Sequence, residues 1–273
     1  MSRIAERFAA LKRAGRAGFV PFITAGDPDF DTSFEILQEL PAAGADLIEL
    51  GVPFSDPMAD GPAVQASSLR ALQAGMTVPK VLELVKRFRK SDSKTPIILM
   101  GYYNPIHAYG TARFAKDAAA AGVDGLITVD LPPEEDEVLR LPANAHGLDI
   151  VRLATPTTND IRLSTILNGA GGFLYYVSIA GVTGTKDFAN AEVERAVTRM
   201  KAQTSLPCAV GFGIKTPEQA AGIARFADGS VVGSAIVTRI AEGLTNGVSR
   251  NEIVHDVLKF CTSLANSVHA ARA

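Results

Sequence analysis

An acidic residue ends one of the apolar segments of this chain, Asp46-Leu47-Ile48-Glu49-Leu50-Gly51. If the segment is a β-strand, alternation puts Leu47, Glu49 and Gly51 on one face and Ile48 and Leu50 on the other. Burying an isolated carboxylate is expensive, so Glu49 must either meet a cation or be kept for chemistry. No strand-like segment contains a lysine, and Arg152 is the only cation close to one. The chain continues as ELGVPFSDPMADGP from Glu49 to Pro62, a stiff loop with three prolines and two more acids, Asp56 and Asp60. Asp60-Gly61-Pro62 also fits a plain turn or helix cap. If the loop folds back over the strand end, two carboxylates share one site. Different surroundings can then hold one protonated and one ionised, which suits general acid–base catalysis.

A second signal is a set of glycine-rich turns: Gly181-Val182-Thr183-Gly184-Thr185, Gly211-Phe212-Gly213-Ile214 and Gly233-Ser234-Ala235-Ile236. Glycines let backbone N–H groups approach an anion, and a short helix starting near Ser234 would aim its positive end at it. Three such turns at corresponding strand ends point to a phosphorylated substrate. Lys186 and Lys215 are expected in loops, so Schiff-base chemistry has no evident nucleophile. The histidines His107, His146, His255 and His269 are dispersed without metal-ligand spacing, and no metal site is expected.

The elements that must position these residues alternate in a regular way. Apolar runs occur at Phe19–Ala25, Asp46–Gly51, Ile97–Tyr102, Gly125–Val129, Asp149–Leu153, Phe173–Ser178, Pro207–Phe212 and Ser230–Gly233. They are too continuously apolar for a sheet with one wet face and read as buried parallel strands. Between them lie amphipathic stretches with helical spacing: Thr32–Ala43, Val78–Arg89, Thr111–Ala121, Pro133–Ala145, Asp160–Leu167, Ala191–Ala202, Thr216–Phe226 and Asn251–Ala265. Eight alternating units predict an α/β fold, a (β/α)8 TIM barrel, with active-site residues at the carboxyl ends of the strands. Ser2–Ala14 predicts an extra N-terminal helix, with Ile4, Phe8 and Leu11 aligned to plug the barrel bottom. Extra short helices are expected after strand two, around Ala63–Ala74, and after strand eight.

Bulk properties agree with this reading. The 273 residues, 47% hydrophobic and 21% charged, fit one barrel domain over residues 1–273. A net charge of −2 with scattered Lys and Arg offers nucleic acid no footprint. Neither a secretory leader nor a membrane span is expected, and the two cysteines, Cys208 and Cys261, suit a reducing cytosol as buried thiols.

The run Glu49–Pro62 resembles the signature loop of tryptophan synthase α chains. Pro21–Pro28 (PFITAGDP), Tyr102-Tyr103-Asn104-Pro105, Gly181-Val182-Thr183-Gly184 and the two glycine turns at Gly211 and Gly233 occur in the order of that family. The resemblance implies retro-aldol cleavage of indole-3-glycerol phosphate to indole and glyceraldehyde 3-phosphate. It makes Glu49 the general acid/base and Asp60 the acceptor of the indole N–H. It puts the phosphate on Gly184, Gly213, Gly233 and Ser234, and the rest of the substrate among Phe22, Val64, Met100, Tyr102, Val129, Tyr175 and Phe212. Thr183 becomes the lid residue that reaches Asp60. It further implies an α2β2 assembly in which pyridoxal phosphate belongs to the β subunit and this chain carries no cofactor. Pro53–Pro57, the segment near Asn104–Tyr109 and the Pro132 region would face that partner. Two other readings stand beside it: another phosphate-binding barrel enzyme, or a non-catalytic activator that kept the fold.

Overall fold

The computed structural model describes residues 2–178, 186–211 and 213–272. Within them the strands are β1 (Gly18–Thr24), β2 (Ile48–Gly51), β3 (Ile97–Gly101), β4 (Gly125–Thr128), β5 (Asp149–Ile150), β6 (Arg152–Ala154), β7 (Leu174–Val177), β8 (Cys208–Gly211) and β9 (Gly229–Val232). All pair in parallel in the order β5-β4-β3-β2-β1-β9-β8-β7-β6. The two ends of that order, β5 and β6, are separated in sequence only by Val151, so they are halves of one stave. One half pairs with β4 and the other with β7, and the sheet closes through them as the expected eight-stave barrel. The Val151 N–H still reaches the Leu126 carbonyl at 2.9 Å across this seam.

The expected helices form with boundaries shifted by a few residues. After β1 comes α2 (Phe30–Glu39), and α3 (Pro62–Gln73) and α4 (Val78–Phe88) follow β2. Thr216 caps α10 (Pro217–Ala224) by accepting the Gln219 N–H at 3.3 Å, as its Thr-Pro-Glu start suggests. The helix after strand eight, α11 (Ser234–Thr245), is longer than expected and is followed by α12 (Arg250–His269). Two differences concern the third and fourth strand–helix units. The segment expected to be helical from Pro133 winds only at Glu137, as α7 (Glu137–Ala145). A helix absent from the sequence reading, α5 (Tyr103–Tyr109), lies between β3 and α6 (Thr111–Ala121). Pro105 and the positive-φ Gly110 made this segment look like a loop; proline is tolerated because it falls in the first turn. The remaining helices are α8 (Asp160–Leu167) and α9 (Lys186–Lys201).

The N-terminal helix α1 (Arg3–Arg13) closes the barrel floor. Its Ile4, Phe8 and Leu11 join Val20, Leu47, Ile98, Ile127, Val151, Phe173, Ala209 and Val231 in one interior cluster. Phe8 meets Phe173 with ring centroids 5.6 Å apart. A larger cluster fills the layer between the strands and the outer helices.

An aspartate repeats at the same end of the barrel. Asp46, Asp124 and Asp228 each precede a strand and accept the N–H of a neighbouring strand's first residues: Phe19 at 3.0 Å, Ile97 at 2.8 Å and Cys208 at 2.8 Å. Each also meets a basic side chain. Arg16 and His269 bind Asp46, Arg3 and Arg89 bind Asp124, and Lys201 binds Asp228. The device satisfies an N–H that the ladder leaves open and ties α1, α4, α9 and α12 to the floor. Asp124→Ala should cost about 3 kcal/mol, because Arg89 and the Ile97 N–H lose their acceptor in a buried place. Urea unfolding measures this; a loss under about 1 kcal/mol would reduce the aspartate to a surface charge.

Candidate active site

Register and alternation deliver Glu49 to the barrel interior. It pairs in the ladder with Phe22 of β1 and Ile98 of β3, and only 2% of it is exposed. Arg152, the one cation near a strand, does not reach it. That guanidinium lies on the outer side of β6, 6% exposed, against the buried carboxylate of Asp136, so the ion-pair reading of Glu49 fails. Among the described residues no hydrogen bond or salt bridge to the Glu49 carboxyl is found. Burial therefore pushes its pKa up to about 8, and the charge of Asp60 adds to the rise.

Asp60 stands at the end of the loop after β2, half-buried, immediately before the Gly61 cap of α3. Burial raises its pKa to about 6 against the opposing effect of the Tyr102 hydroxyl. Two features orient α3 beneath it. Arg70 makes a bidentate pair with the buried Asp27 at 2.7 and 2.8 Å, and the Thr24 and Ser67 hydroxyls bond at 2.6 Å. Sequence reading missed both, because each joins residues 43 positions apart. The only local hint was a charged residue placed right after an apolar strand.

The expected pocket walls divide into groups. Phe22, Met100 and Tyr175 lie in strands whose alternate residues face the interior around Glu49. A Cβ on Gly51 would come within 2.7 Å of the Phe22 ring, and one on Gly211 would overlap the Tyr175 hydroxyl. Glycine at these two strand ends is what lets the aromatic side chains cross the mouth. Burial, with the Glu49 charge in addition, holds the Tyr175 phenol well above its ordinary range, so it remains a neutral donor. Tyr102 follows β3 and touches the Asp60 loop, while Val64 sits half-buried in the first turn of α3. Val129 lies further round, beyond β4, beside a cavity of about 320 Å³ at the seam between β4 and β6 that Leu153, Arg152 and Asp136 also line.

Of the expected phosphate cup, Gly213 is in the left-handed region at φ 78°, and Gly233 is the residue before α11, with no side chain capping it. The first N–H groups of α11, beginning at Ser234, are thus open toward the barrel mouth side of β9, where a helix dipole favours an anion. Thr183, Gly184 and Phe212 lie outside the described residues. Among the described residues there is no cluster of three His, Cys, Asp or Glu side chains placed to hold a metal, and no lysine lies in a strand.

Fold and site together define a (β/α)8-barrel enzyme with a carboxylate pair at its mouth. The family model for the tryptophan synthase alpha chain matches residues 8–269. The tryptophan synthase alpha chain of Legionella pneumophila subsp. pneumophila is 41% identical, with a TM-score of 0.89, and the match covers 98% of this chain and 97% of that one. The alpha subunit from the Paris strain of the same species is 41% identical, with a TM-score of 0.91 and 98% of both chains covered. A Mycobacterium tuberculosis tryptophan synthase structure is 35% identical, with a TM-score of 0.87, again over 98% of each chain. The chain belongs to the tryptophan synthase alpha chain family.

The carboxyl of Glu49 also makes a stability prediction. Its folded pKa of about 8 lies above the ordinary 4.5, so the folded state holds a proton that the unfolded state has released. The contribution of this group to stability therefore falls as pH rises from 4.5 and levels off above about 8. Glu49→Gln removes that burden. The melting temperature of the variant should exceed that of the parent, with the gap widening across this window; a pH-independent gap would refute the buried, unpaired carboxyl.

Proposed function

We propose that this chain cleaves indole-3-glycerol phosphate by retro-aldol chemistry, with Glu49 as general acid and then base and Asp60 as the carboxylate that receives the indole N–H. The observation that carries the reading is a pair of neighbouring carboxyls held apart in acidity, one near 8 and the other near 6. Between those values Glu49 carries a proton and Asp60 carries a charge. Protonated Glu49 gives its proton to indole C3, and the ring becomes an iminium whose N–H is stabilised by Asp60. The Glu49 carboxylate then takes the proton of the glycerol hydroxyl next to C3. The carbonyl forms, the bond from C3 to the glycerol carbon breaks, and its electron pair restores the neutral indole. Glu49 ends as it began, protonated.

Phe22, Met100 and Tyr175 supply apolar walls for a flat ring, while Tyr102, Val64 and Val129 enclose it toward the loop side. The phosphate rests on backbone N–H groups at Gly213, Gly233 and Ser234, with Gly184 completing the cup; Phe212 and Thr183 belong to the same site, Thr183 as the lid residue toward Asp60. The chain acts with a β subunit in an α2β2 assembly, which meets it through the Pro53–Pro57 loop, the α5 segment and the Pro132 region. Pyridoxal phosphate belongs to that partner, and the pair works in the cytosol. No helix among the described residues is long and apolar enough to cross a membrane.

Cleavage by the full chain with its β subunit should follow a bell-shaped pH profile with limbs near 6 and 8, from Asp60 and Glu49 in turn. Glu49→Gln should lower kcat by at least about a hundredfold while substrate binding changes little, since only proton transfer is lost. Near-normal turnover of that variant would overturn the acid–base assignment. Absence of indole release by the parent chain, both alone and with the β subunit, would leave the non-catalytic activator.

A further inference from the structure

We propose that the Tyr102 hydroxyl is the positioning group of Asp60: it fixes the loop that carries this carboxylate to the rigid end of β3 and donates its proton to it. The inference rests on the reading of Asp60 given above and adds a residue that works through it.

The loop between β2 and α3 has few means of holding its own shape. Ser55, Asp56, Met58 and Ala59 are exposed, Met58 to 85%. Its internal backbone bonds are short-range turns, Met58 N–H to Asp56 and Asp60 N–H to Pro57. A carboxylate on such a loop would sample many positions, whereas acid–base catalysis requires it held to a fraction of an ångström. At the loop's far end the Asp60 carbonyl accepts from Gln65 Nε2 of α3 at 2.8 Å, and the rest of its anchorage to the barrel comes from β3 and the residue after it. The Val52 N–H reaches the Met100 carbonyl at 2.7 Å, the Phe54 ring lies 5.4 Å from the Tyr102 ring, and the Ala59 N–H donates to the Tyr102 Oη at 2.9 Å.

Tyr102 is itself well held. It is 3% exposed and is the residue that opens α5, whose first N–H, on Tyr103, is accepted by Asp130 at 2.8 Å. Because the Oη already accepts from Ala59, its own proton is left for an acceptor, and Asp60 is the next residue of the loop it holds. The phenol keeps this proton throughout the working range, since burial and Asp60 raise its pKa to about 12. Among the described residues, the charges that face this pair are the Glu49 carboxyl from β2 and Asp130 from the loop after β4. All are acidic, so the hydroxyl is the group that opposes protonation of Asp60. A bare apolar wall would need only the ring. The hydroxyl, bonded to the loop residue next to Asp60, does something a wall cannot.

Tyr102→Phe keeps the ring against Phe54 and removes only the hydroxyl. In the full chain with its β subunit, the acidic limb of kcat/KM should move up by about one pH unit, and kcat at neutral pH should fall about tenfold with KM nearly unchanged. Carbon-13 NMR titration of Asp60 in the substrate-free chain should show the same upward displacement. Site-specific 3-fluorotyrosine at position 102, a stronger donor, should move both readouts the other way. An unmoved limb and an unmoved Asp60 titration, with any loss confined to KM or thermal stability, would make Tyr102 a packing residue and overturn the proposal. Asp60→Asn separates the two levels of the argument. If it leaves the acidic limb in place, Asp60 is not the group that titrates there, and the underlying reading fails. If it abolishes the limb while Tyr102→Phe leaves it unmoved, only the positioning role fails.

Discussion

The interior of a closed parallel barrel has to be filled by the alternate side chains of its own strands, and the way this chain shares that space governs both its floor and its mouth. At the floor the staves supply small or branched residues such as Val20, Val231 and Ala209, which leave a hole that α1 fills with Ile4, Phe8 and Leu11. At the mouth the filling is done by Phe22 and Tyr175, and Gly51 and Gly211 give them room. The two ends are thus opposites: one is sealed by an added helix, the other left open to be walled by aromatic rings.

Placing a carboxyl in that packed interior sets its chemistry. Glu49 has apolar neighbours in the ladder on both sides and an acid as its nearest charge, so desolvation dominates and the neutral form is favoured. Asp60 lies at the rim, less deeply buried and next to a hydroxyl, so its acidity changes less. The difference in acidity is a difference in depth. It needs no metal or positive side chain at either group, and it leaves the pair poised for proton transfer near neutral pH.

The barrel also separates stability from function along its axis. Ion pairs gather at the floor, where the buried Asp46 and Asp124 and the half-buried Asp228 join open N–H groups to Arg16, Arg89 and Lys201. Elsewhere among the described residues, Asp27 pairs with Arg70, and Asp136 with Arg152 and Arg140, and these pairs seat a helix or loop against the wall. Among the described residues the Glu49 carboxyl has no such partner, which would have pulled its pKa down.

Much of this was legible in the linear chain. Eight apolar runs alternating with amphipathic stretches are a local property, and so are the inward face of Glu49 and the helix start at Thr216, because periodicity and capping depend on residues a few positions apart. The loop Glu49–Pro62 was legible as a specific word, which is why Asp60, a turn residue by its local chemistry, could be picked out through resemblance. Tertiary structure alone decided the rest. It broke the fifth stave at Val151, wound Tyr103–Tyr109 into a helix, gave Arg152 to Asp136 instead of Glu49, and joined Thr24 to Ser67. Each of these depends on which distant segments closure brings together. The acidity of Glu49 belongs to the same group: the sequence could name the carboxyl and its face, but only the closed barrel removes the water that would otherwise have kept it ionised.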